Sequence, residues 1–237
     1  MNSILFSACY GFPPNSYGYC GSSSFTKNLK EALVSKKTKK IEIELKKFQA
    51  QYKYLDFIGR ENNLAPFDPK VVDAFWIGNS LLEEIPHKSL QKFIENDLFP
   101  RNSIRGKKLA KYLPENLVPH HSFNVLYVNF VTNRVERSIN NFDLCCVTAG
   151  KIKSLNPTHA IVDRFSIDFN GEFIFGKKIE KVDIIRNQVK LVKNLKKNDI
   201  VALHWGMVVG KLNAKQLTKL KKYTKINFDG IGGLNNL

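Results

Sequence analysis

The sequence predicts an α+β protein with a helical N-terminal domain over residues 1–117 and a second domain over residues 118–237. Before Pro119, apolar residues recur at spacings of three and four, which is typical of amphipathic helices. After Pro119 they alternate in short runs rich in Val, Ile and Phe, which is typical of strands. Five or six short strands joined by short turns favour a small closed β-barrel of the OB or SH3-like kind, followed by a C-terminal helix.

The N-terminal domain is predicted to begin with an ordered loop and to continue as helices. Residues 1–23 are dense in Gly, Pro, Ser and Tyr, which favours an irregular segment with buried aromatic rings. A helix is predicted over residues 25–35, and a longer helix carries an apolar stripe through residues 41–58. Asp68 followed by Pro69 is a typical helix start, an N-cap residue before a proline in the first turn.

The C-terminal domain is predicted to begin with a β-hairpin. Residues 120–130 alternate in polarity, Thr132-Asn133 is typical of a turn, and the segment VERSI would form the second strand. The later strand candidates are LCCVTAGKIKSL, HAIVDRFSIDF, EFIFGKKIEKVDII, QVKLV and DIVALHWGMVVGKL. A final helix is predicted to begin at the N-cap residue Asn213.

Hydropathy and charge indicate the compartment and the kind of partner. The sequence has no run of eighteen apolar residues and no basic segment before its first apolar stretch, so we expect a cytoplasmic protein without a membrane span. The net charge is +16, from 37 basic and 21 acidic residues. Most of the basic residues are lysines scattered along the chain, whereas nucleic-acid readout favours arginine. Nucleic acid is therefore kept only as an alternative partner.

The four cysteines are too few and too irregularly spaced for a disulfide framework, so we expect free thiols. Cys20, in the segment GYCG, could be a nucleophile with His120 or His121 as its base. A small cysteine buried in a glycine turn is the competing interpretation. Adjacent residues on a strand point to opposite faces, so only one of the two histidines could join a given site.

The C-terminal third resembles the hydrogenase maturation chaperones. Cys145 lies five residues before the Gly-Lys-Ile run at 150–152, and His204 follows the segment DIVAL and precedes Trp-Gly. The overlap covers residues 144–225. The resemblance implies a small barrel, a cysteine and a histidine that handle an iron fragment, and a client or scaffold protein as partner.

The sequence departs from the chaperone pattern at three points. Ala149 stands where the chaperones have proline, the stretch 164–186 is longer, and Cys145 is internal, which excludes a role for a free N-terminal amine. A thiolate and an imidazole nevertheless suit an iron ion. We predict that Cys145 and His204 bind the metal and that their sulfur and nitrogen atoms lie within roughly 8 Å of each other. For His204 the alternative is a strand histidine bonded to a backbone carbonyl.

Nearly the whole chain resembles an uncharacterised bacterial and archaeal family. The shared motifs are YGFPPN with GYCG, WIGN, and PHHSF, whose family form continues with a histidine where this chain has Asn124. This resemblance implies no activity. The main hypothesis is thus an accessory or maturation protein rather than a turnover enzyme. The alternatives are a thiol-dependent enzyme that uses Cys20 and a basic barrel that binds nucleic acid.

Overall fold

The computed structural model describes residues 2–129, 135–169 and 173–231. Helices precede strands, and one helix follows them, so the α+β class is confirmed. The α-helices are α1 Ser3–Ser16, α2 Phe25–Ser35, α3 Lys39–Leu45, α4 Gln51–Glu61, α5 Pro69–Trp76, α6 His87–Lys92, α7 Ile104–Lys111, α8 His121–Leu126, α9 Ile139–Cys145 and α10 Ala214–Ile231. A short 3₁₀ turn spans Ser80–Leu82, and a π-helical segment at Phe93–Leu98 continues α6.

Among the described residues, seven strands lie between α9 and α10. They are β1 Thr148–Leu155, β2 His159–Phe169, β3 Phe173–Asp183, β4 Ile185–Arg186, β5 Val189–Lys190, β6 Ile200–His204 and β7 Met207–Leu212. Five of them pair in the order β1-β2-β3-β7-β6, and β6 also pairs with β1. All these pairings are antiparallel except that of β3 with β7. The two remaining strands, β4 and β5, form a separate hairpin.

The predicted loop over residues 1–23 is wrong, because most of this segment is helix α1. The Asn2 side chain caps the helix by accepting hydrogen bonds from the backbone N–H groups of Ile4 and Leu5. Nine residues of α1, including both prolines, are buried, so tertiary packing stabilises a helix that its composition disfavours. The single helix predicted over residues 41–58 is also wrong, since α3 and α4 are separated by a turn that inserts the buried Phe48 into the core.

The hairpin predicted at the start of the C-terminal domain is wrong as well. Residues 121–126 form α8, and all six are buried. A helix that is buried on every side has no exposed polar face. Its polar and apolar residues therefore do not recur with the helical spacing of three and four, and the sequence pattern predicts a strand instead. The predicted turn at Thr132-Asn133 lies outside the described residues. Cys145, which was expected in the first strand, is instead the last residue of α9.

A continuous hydrophobic core joins the helices to the strands. It includes Tyr10 of α1, Trp76 of α5 and Phe123 of α8 together with Ala202 of β6 and Val209 of β7. A second cluster fills the space between the strands, and its buried residues are Ile152, Ala160, Val162, Val182, Ile184, Val201, Leu203 and Val208. Helix α1 packs directly on β6 and β7. None of the described helices is both long and apolar enough to cross a bilayer.

Candidate metal centre

A pocket of about 100 Å³ opens where the helices meet the end of β6. Four of the five candidate residues line it: Cys20, His121, Cys145 and His204. They come from four separate segments, namely the turn after α1, the start of α8, the end of α9 and the end of β6. The structure thus brings together residues that are up to 184 positions apart in the sequence.

Three of these residues form a compact set of possible metal ligands. One ring nitrogen of His121, one of His204 and the sulfur of Cys145 all lie within 4.8 Å of one another, and all three residues are buried. The prediction that the Cys145 and His204 atoms lie within roughly 8 Å of each other is therefore confirmed. His121 is an additional member, because the sequence placed it only as a possible base for Cys20.

Backbone hydrogen bonds hold Cys145 beside His204. The N–H of Trp205 donates to the carbonyl of Leu144 at 2.7 Å, which ties the residue after His204 to the residue before Cys145. Trp205 and Gly206 make the two-residue turn between β6 and β7, with φ of 48° and 66°. A positive φ is rare for a residue as large as tryptophan. Here the Trp205 carbonyl also accepts a hydrogen bond from Arg186 at 2.9 Å, which supports this turn.

An ion pair anchors α9 to the sheet. Both oxygens of Asp143 accept hydrogen bonds from the Arg164 guanidinium, at 2.8 and 2.6 Å. The backbone N–H of Ile167 donates to the same carboxylate at 2.9 Å. Arg164 also contacts Glu180 at 2.7 Å, so its charge is opposed by two carboxylates. Because Asp143 is only two residues before Cys145, this network fixes the position of the thiol.

The hydrogen bonding of His204 defines which nitrogen is available. Nδ1 lies 2.7 Å from the carbonyl oxygen of Tyr10, and a carbonyl can only accept, so Nδ1 carries the hydrogen. Nε2 then has the lone pair, and it has no hydrogen-bond partner among the described residues. Burial lowers the pKa of His204 to about 4, against the smaller opposing effects of the backbone carbonyls of Tyr10 and Cys145. The ring is therefore neutral at pH 7, the form that binds metals.

Aromatic packing orients His121. Its ring stacks on Trp76 with centroids 4.6 Å apart and meets the His204 ring edge-on at 5.0 Å. The Trp76 indole N–H donates to Ser7 Oγ at 3.1 Å, so the stacking surface is itself fixed. Burial, with smaller contributions from His204 and His120, holds the pKa of His121 well below its ordinary value. Nδ1 of His121 has no partner among the described residues.

Cys145 is a protonated thiol in these surroundings. Burial raises its pKa well above the ordinary value, and the neighbouring Cys20 raises it further, while the Trp205 indole has the opposite effect. A metal would have to displace this proton on binding, since the thiolate is the form that coordinates. Cys20 itself is only partly buried.

His120 lies outside the pocket lining and has a structural role. It is the N-cap of α8, where its Nδ1 accepts a hydrogen bond from the Ser122 N–H at 3.2 Å. Of the two histidines proposed as a base for Cys20, only His121 shares its pocket. We expected the side chains of these adjacent histidines to point in different directions because they would lie on a strand. They do serve different sites, but the reason is that they lie at the start of a helix.

Sequence reasoning missed several residues that shape this centre. Trp76, in the WIGN motif, stacks on the ring of His121 and supports it. Tyr10, at the start of the YGFPPN motif, supplies the carbonyl that orients His204. Asn124 lines the pocket at the position where the resembling family has a third histidine, and its Oδ1 has no partner among the described residues. Each of these residues is in or next to one of the shared motifs, and this was the feature of the sequence that could have indicated a role in the site.

The comparisons with known proteins give a family and no activity. The model of a family of unknown function, DUF6390, matches residues 3–232. No curated protein and no solved structure matches the chain. Because the matched segment includes every residue of the candidate centre and nearly all of the sequence, the chain belongs to the family DUF6390.

Proposed function

We propose that this protein binds one transition-metal ion, or a small metal fragment, through Cys145, His121 and His204, and serves as an accessory protein in metal-site maturation. The observation that carries the proposal is the convergence of one sulfur and two ring nitrogens within 4.8 Å of one another in a buried pocket. A metal ion bound at the centre of such a set would draw the donors closer, because metal–sulfur and metal–nitrogen bonds are about 2.0–2.3 Å long.

Unsatisfied polar atoms support metal binding over a purely structural cluster. Nε2 of His204 and Nδ1 of His121 are buried without hydrogen-bond partners among the described residues. Buried polar atoms without partners are rare, since each loses its hydrogen bonds to water with nothing in return. A bound metal would satisfy the available lone pairs, and the bond from His204 Nδ1 to a backbone carbonyl is the outer-shell arrangement that metal-ligating histidines favour.

The ligand types favour a metal of intermediate or soft character. One thiolate and two imidazoles suit iron, cobalt, zinc or copper and exclude the hard ions magnesium and calcium. Iron is the metal that the resemblance to the hydrogenase maturation chaperones implies. A small closed barrel of the OB or SH3-like kind, which that resemblance also implies, accords with the cyclic pairing of the five strands.

The shape of the pocket favours holding a small group over turnover of a large substrate. Its volume of about 100 Å³ is below the roughly 300–1,000 Å³ of pockets for drug-sized ligands. Three protein ligands leave at least one position of a tetrahedral ion for another donor. A client or scaffold protein could supply that donor, so we include such a protein as the proposed partner.

Anaerobic reconstitution tests the proposal. We expect the wild-type protein to bind one Co²⁺ or Fe²⁺ per chain, with a thiolate-to-cobalt charge-transfer band in the near ultraviolet. Cys145→Ser should abolish that band, because serine provides no thiolate. His204→Gln should weaken affinity by more than the about 10–100-fold that loss of an outer-shell partner costs. Metal content is measured by elemental analysis and affinity by competition with a chelator.

Cys146→Ser is the matched control for this experiment. Cys146 is the adjacent cysteine and is also buried, but it does not line the pocket. It should retain both the charge-transfer band and the stoichiometry. Circular dichroism of each variant separates loss of binding from loss of folding. A folded wild-type protein that takes up neither metal, or a Cys145→Ser variant with an unchanged cobalt spectrum, would contradict the proposal.

A thiol-dependent enzyme is the second candidate, favoured by the presence of Cys20 and His121 in one pocket. Cys20 is partly exposed, whereas Cys9, Cys145 and Cys146 are buried. We therefore expect iodoacetamide to label Cys20 first, as peptide mass spectrometry would show. If His121 activates Cys20 as a base, His121→Gln should slow this labelling at neutral pH. An equal rate in the variant would argue against the enzyme and leave metal binding unaffected.

A further inference from the structure

Helix α1 contains a proline at a position that affects the metal centre. In an α-helix the carbonyl of residue 10 would accept a hydrogen bond from the backbone N–H of residue 14. Residue 14 is proline, which has no N–H, and its ring also collides with the carbonyl four residues earlier and displaces it. The Tyr10 carbonyl therefore has no α-helical partner within α1, although Tyr10 is fully buried.

His204 supplies the missing hydrogen bond. Its Nδ1–H donates to the Tyr10 carbonyl at 2.7 Å, across a sequence separation of 194 residues. A neutral imidazole carries only one N–H, so this bond leaves the lone pair on Nε2. Nε2 belongs to the ring that meets His121, and it has no partner among the described residues. The orientation of one carbonyl in α1 thus determines which His204 nitrogen faces a ligand.

We propose that Pro14 is a positioning residue for the metal centre: by freeing the Tyr10 carbonyl from α1, it fixes the His204 tautomer with Nε2 as the metal-binding nitrogen. This inference rests on the proposed metal-binding function and adds a determinant of affinity outside the ligand set. It also gives the second proline of the YGFPPN motif a role that its neighbour lacks.

Pro13 is the matched control, because the same geometry assigns it a different carbonyl. The missing N–H of Pro13 corresponds to the carbonyl of Cys9. Among the described residues, His204 Nδ1 bonds to the carbonyl of Tyr10 and not to that of Cys9. Both prolines are buried in α1. Replacing either with alanine introduces the best helix former and restores one backbone N–H. Only the change at Pro14 restores the donor that competes for the Tyr10 carbonyl.

The experiment measures the His204 tautomer and the metal affinity separately. In the metal-free protein, ¹⁵N-labelled histidine NMR should show the Nδ1–H tautomer for wild type and for Pro13→Ala. For Pro14→Ala we expect a substantial population of the Nε2–H tautomer. Zn²⁺ affinity, measured by chelator competition, should fall about 10–100-fold in Pro14→Ala, the usual effect of losing an outer-shell partner. Pro13→Ala should bind as wild type does.

The tautomer measurement also excludes a simple effect on the pocket wall. Pro14 lines the pocket, so its truncation could weaken binding without any change in His204. Weaker Zn²⁺ binding with an unchanged tautomer would therefore overturn the inference, as would an unchanged tautomer and affinity. In both cases metal binding by the wild type would stand. Pro14→Ser, which also restores the N–H, should reproduce the Pro14→Ala result and serves if that variant folds poorly.

Discussion

Asp143→Ala is expected to lower the free energy of unfolding by about 3–5 kcal/mol, the usual effect of removing one partner from a buried ion pair. The Asp143 and Arg164 side chains are only 4% and 2% exposed, so water cannot replace the lost carboxylate. The substitution also leaves the Ile167 N–H without its acceptor. Glu180 remains near Arg164 but is on the outer side of the network, with a side chain 21% exposed. Urea unfolding at pH 7 measures the change.

The surface pair of Arg60 and Asp56 provides the matched control. Arg60 also contacts two carboxylates, those of Asp56 and Asp97, but all three side chains are at least 42% exposed. Asp56→Ala should change the free energy of unfolding by about 0–1 kcal/mol, as for other exposed ion pairs. If Asp143→Ala had an effect this small, the network would not be what anchors α9. Without urea, and at a temperature where the Asp143→Ala variant is still folded, we expect this variant to bind metal more weakly than wild type. The reason is that Cys145 is at the end of α9, which the substitution loosens.

The strand region and the helices α2, α5 and α10 could be predicted from the sequence because their patterns are local. Alternation of apolar residues predicted β1, β2, β3 and the pair β6 and β7, and the N-cap residues Asp68 and Asn213 marked two helix starts. The failures at α1 and α8 occur where burial is extensive. Every residue of α8 is buried, and in α1 nine of fourteen residues are buried and the rest are half-buried, so neither segment has the exposed polar face that reveals a helix. Tertiary packing, not local propensity, decides the conformation there.

The candidate centre was predicted in part for a related reason. The sequence indicated Cys145 and His204 through a resemblance, and the pairing of β1 with β6 does place their segments side by side. His121 could not be assigned, because its position depends on α8, whose conformation the sequence did not reveal. The role of Tyr10 was also hidden, since it acts through a carbonyl that every residue has. Only the position of Pro14, four residues later, distinguishes that carbonyl, and this requires knowing that α1 is a helix.

Acidification of the metal-free protein is expected to unfold it before carboxylate protonation becomes important. Burial lowers the pKa of His120 to about 3 and of His204 to about 4, and holds that of His121 well below the ordinary 6.5. In the unfolded chain these histidines take up protons below about pH 6.5, whereas in the folded protein they do not. Above pH 6.5 the buried, neutral histidines therefore do not reduce the free energy of unfolding. As the pH falls toward 4, that free energy decreases progressively.

The size of this effect follows from the number of protons. Each histidine that binds a proton only in the unfolded state contributes a slope of up to about 1.4 kcal/mol per pH unit, so three give at most about 4 kcal/mol per pH unit. A typical domain has a total stability of about 5–15 kcal/mol. Glu44 and Glu83 have pKa values lowered from 4.5, so their contribution is lost only at more acidic pH. Burial raises the pKa of Asp73, so this group offsets part of the loss as the pH falls. The loss of stability between pH 6.5 and 4.5 thus comes from the histidines.

His120→Asn tests this assignment, because asparagine is a good N-cap residue that does not titrate. Urea unfolding of the chelator-treated protein at several pH values should give a slope reduced by about one third in this variant, since one of three protons is removed. A wild-type stability that stays constant from pH 6.5 to 4.5 would show that the buried imidazoles gain protons in the folded state. The burial of the three rings would then not keep protons off them, and the assignment of the acid sensitivity to these histidines would be wrong.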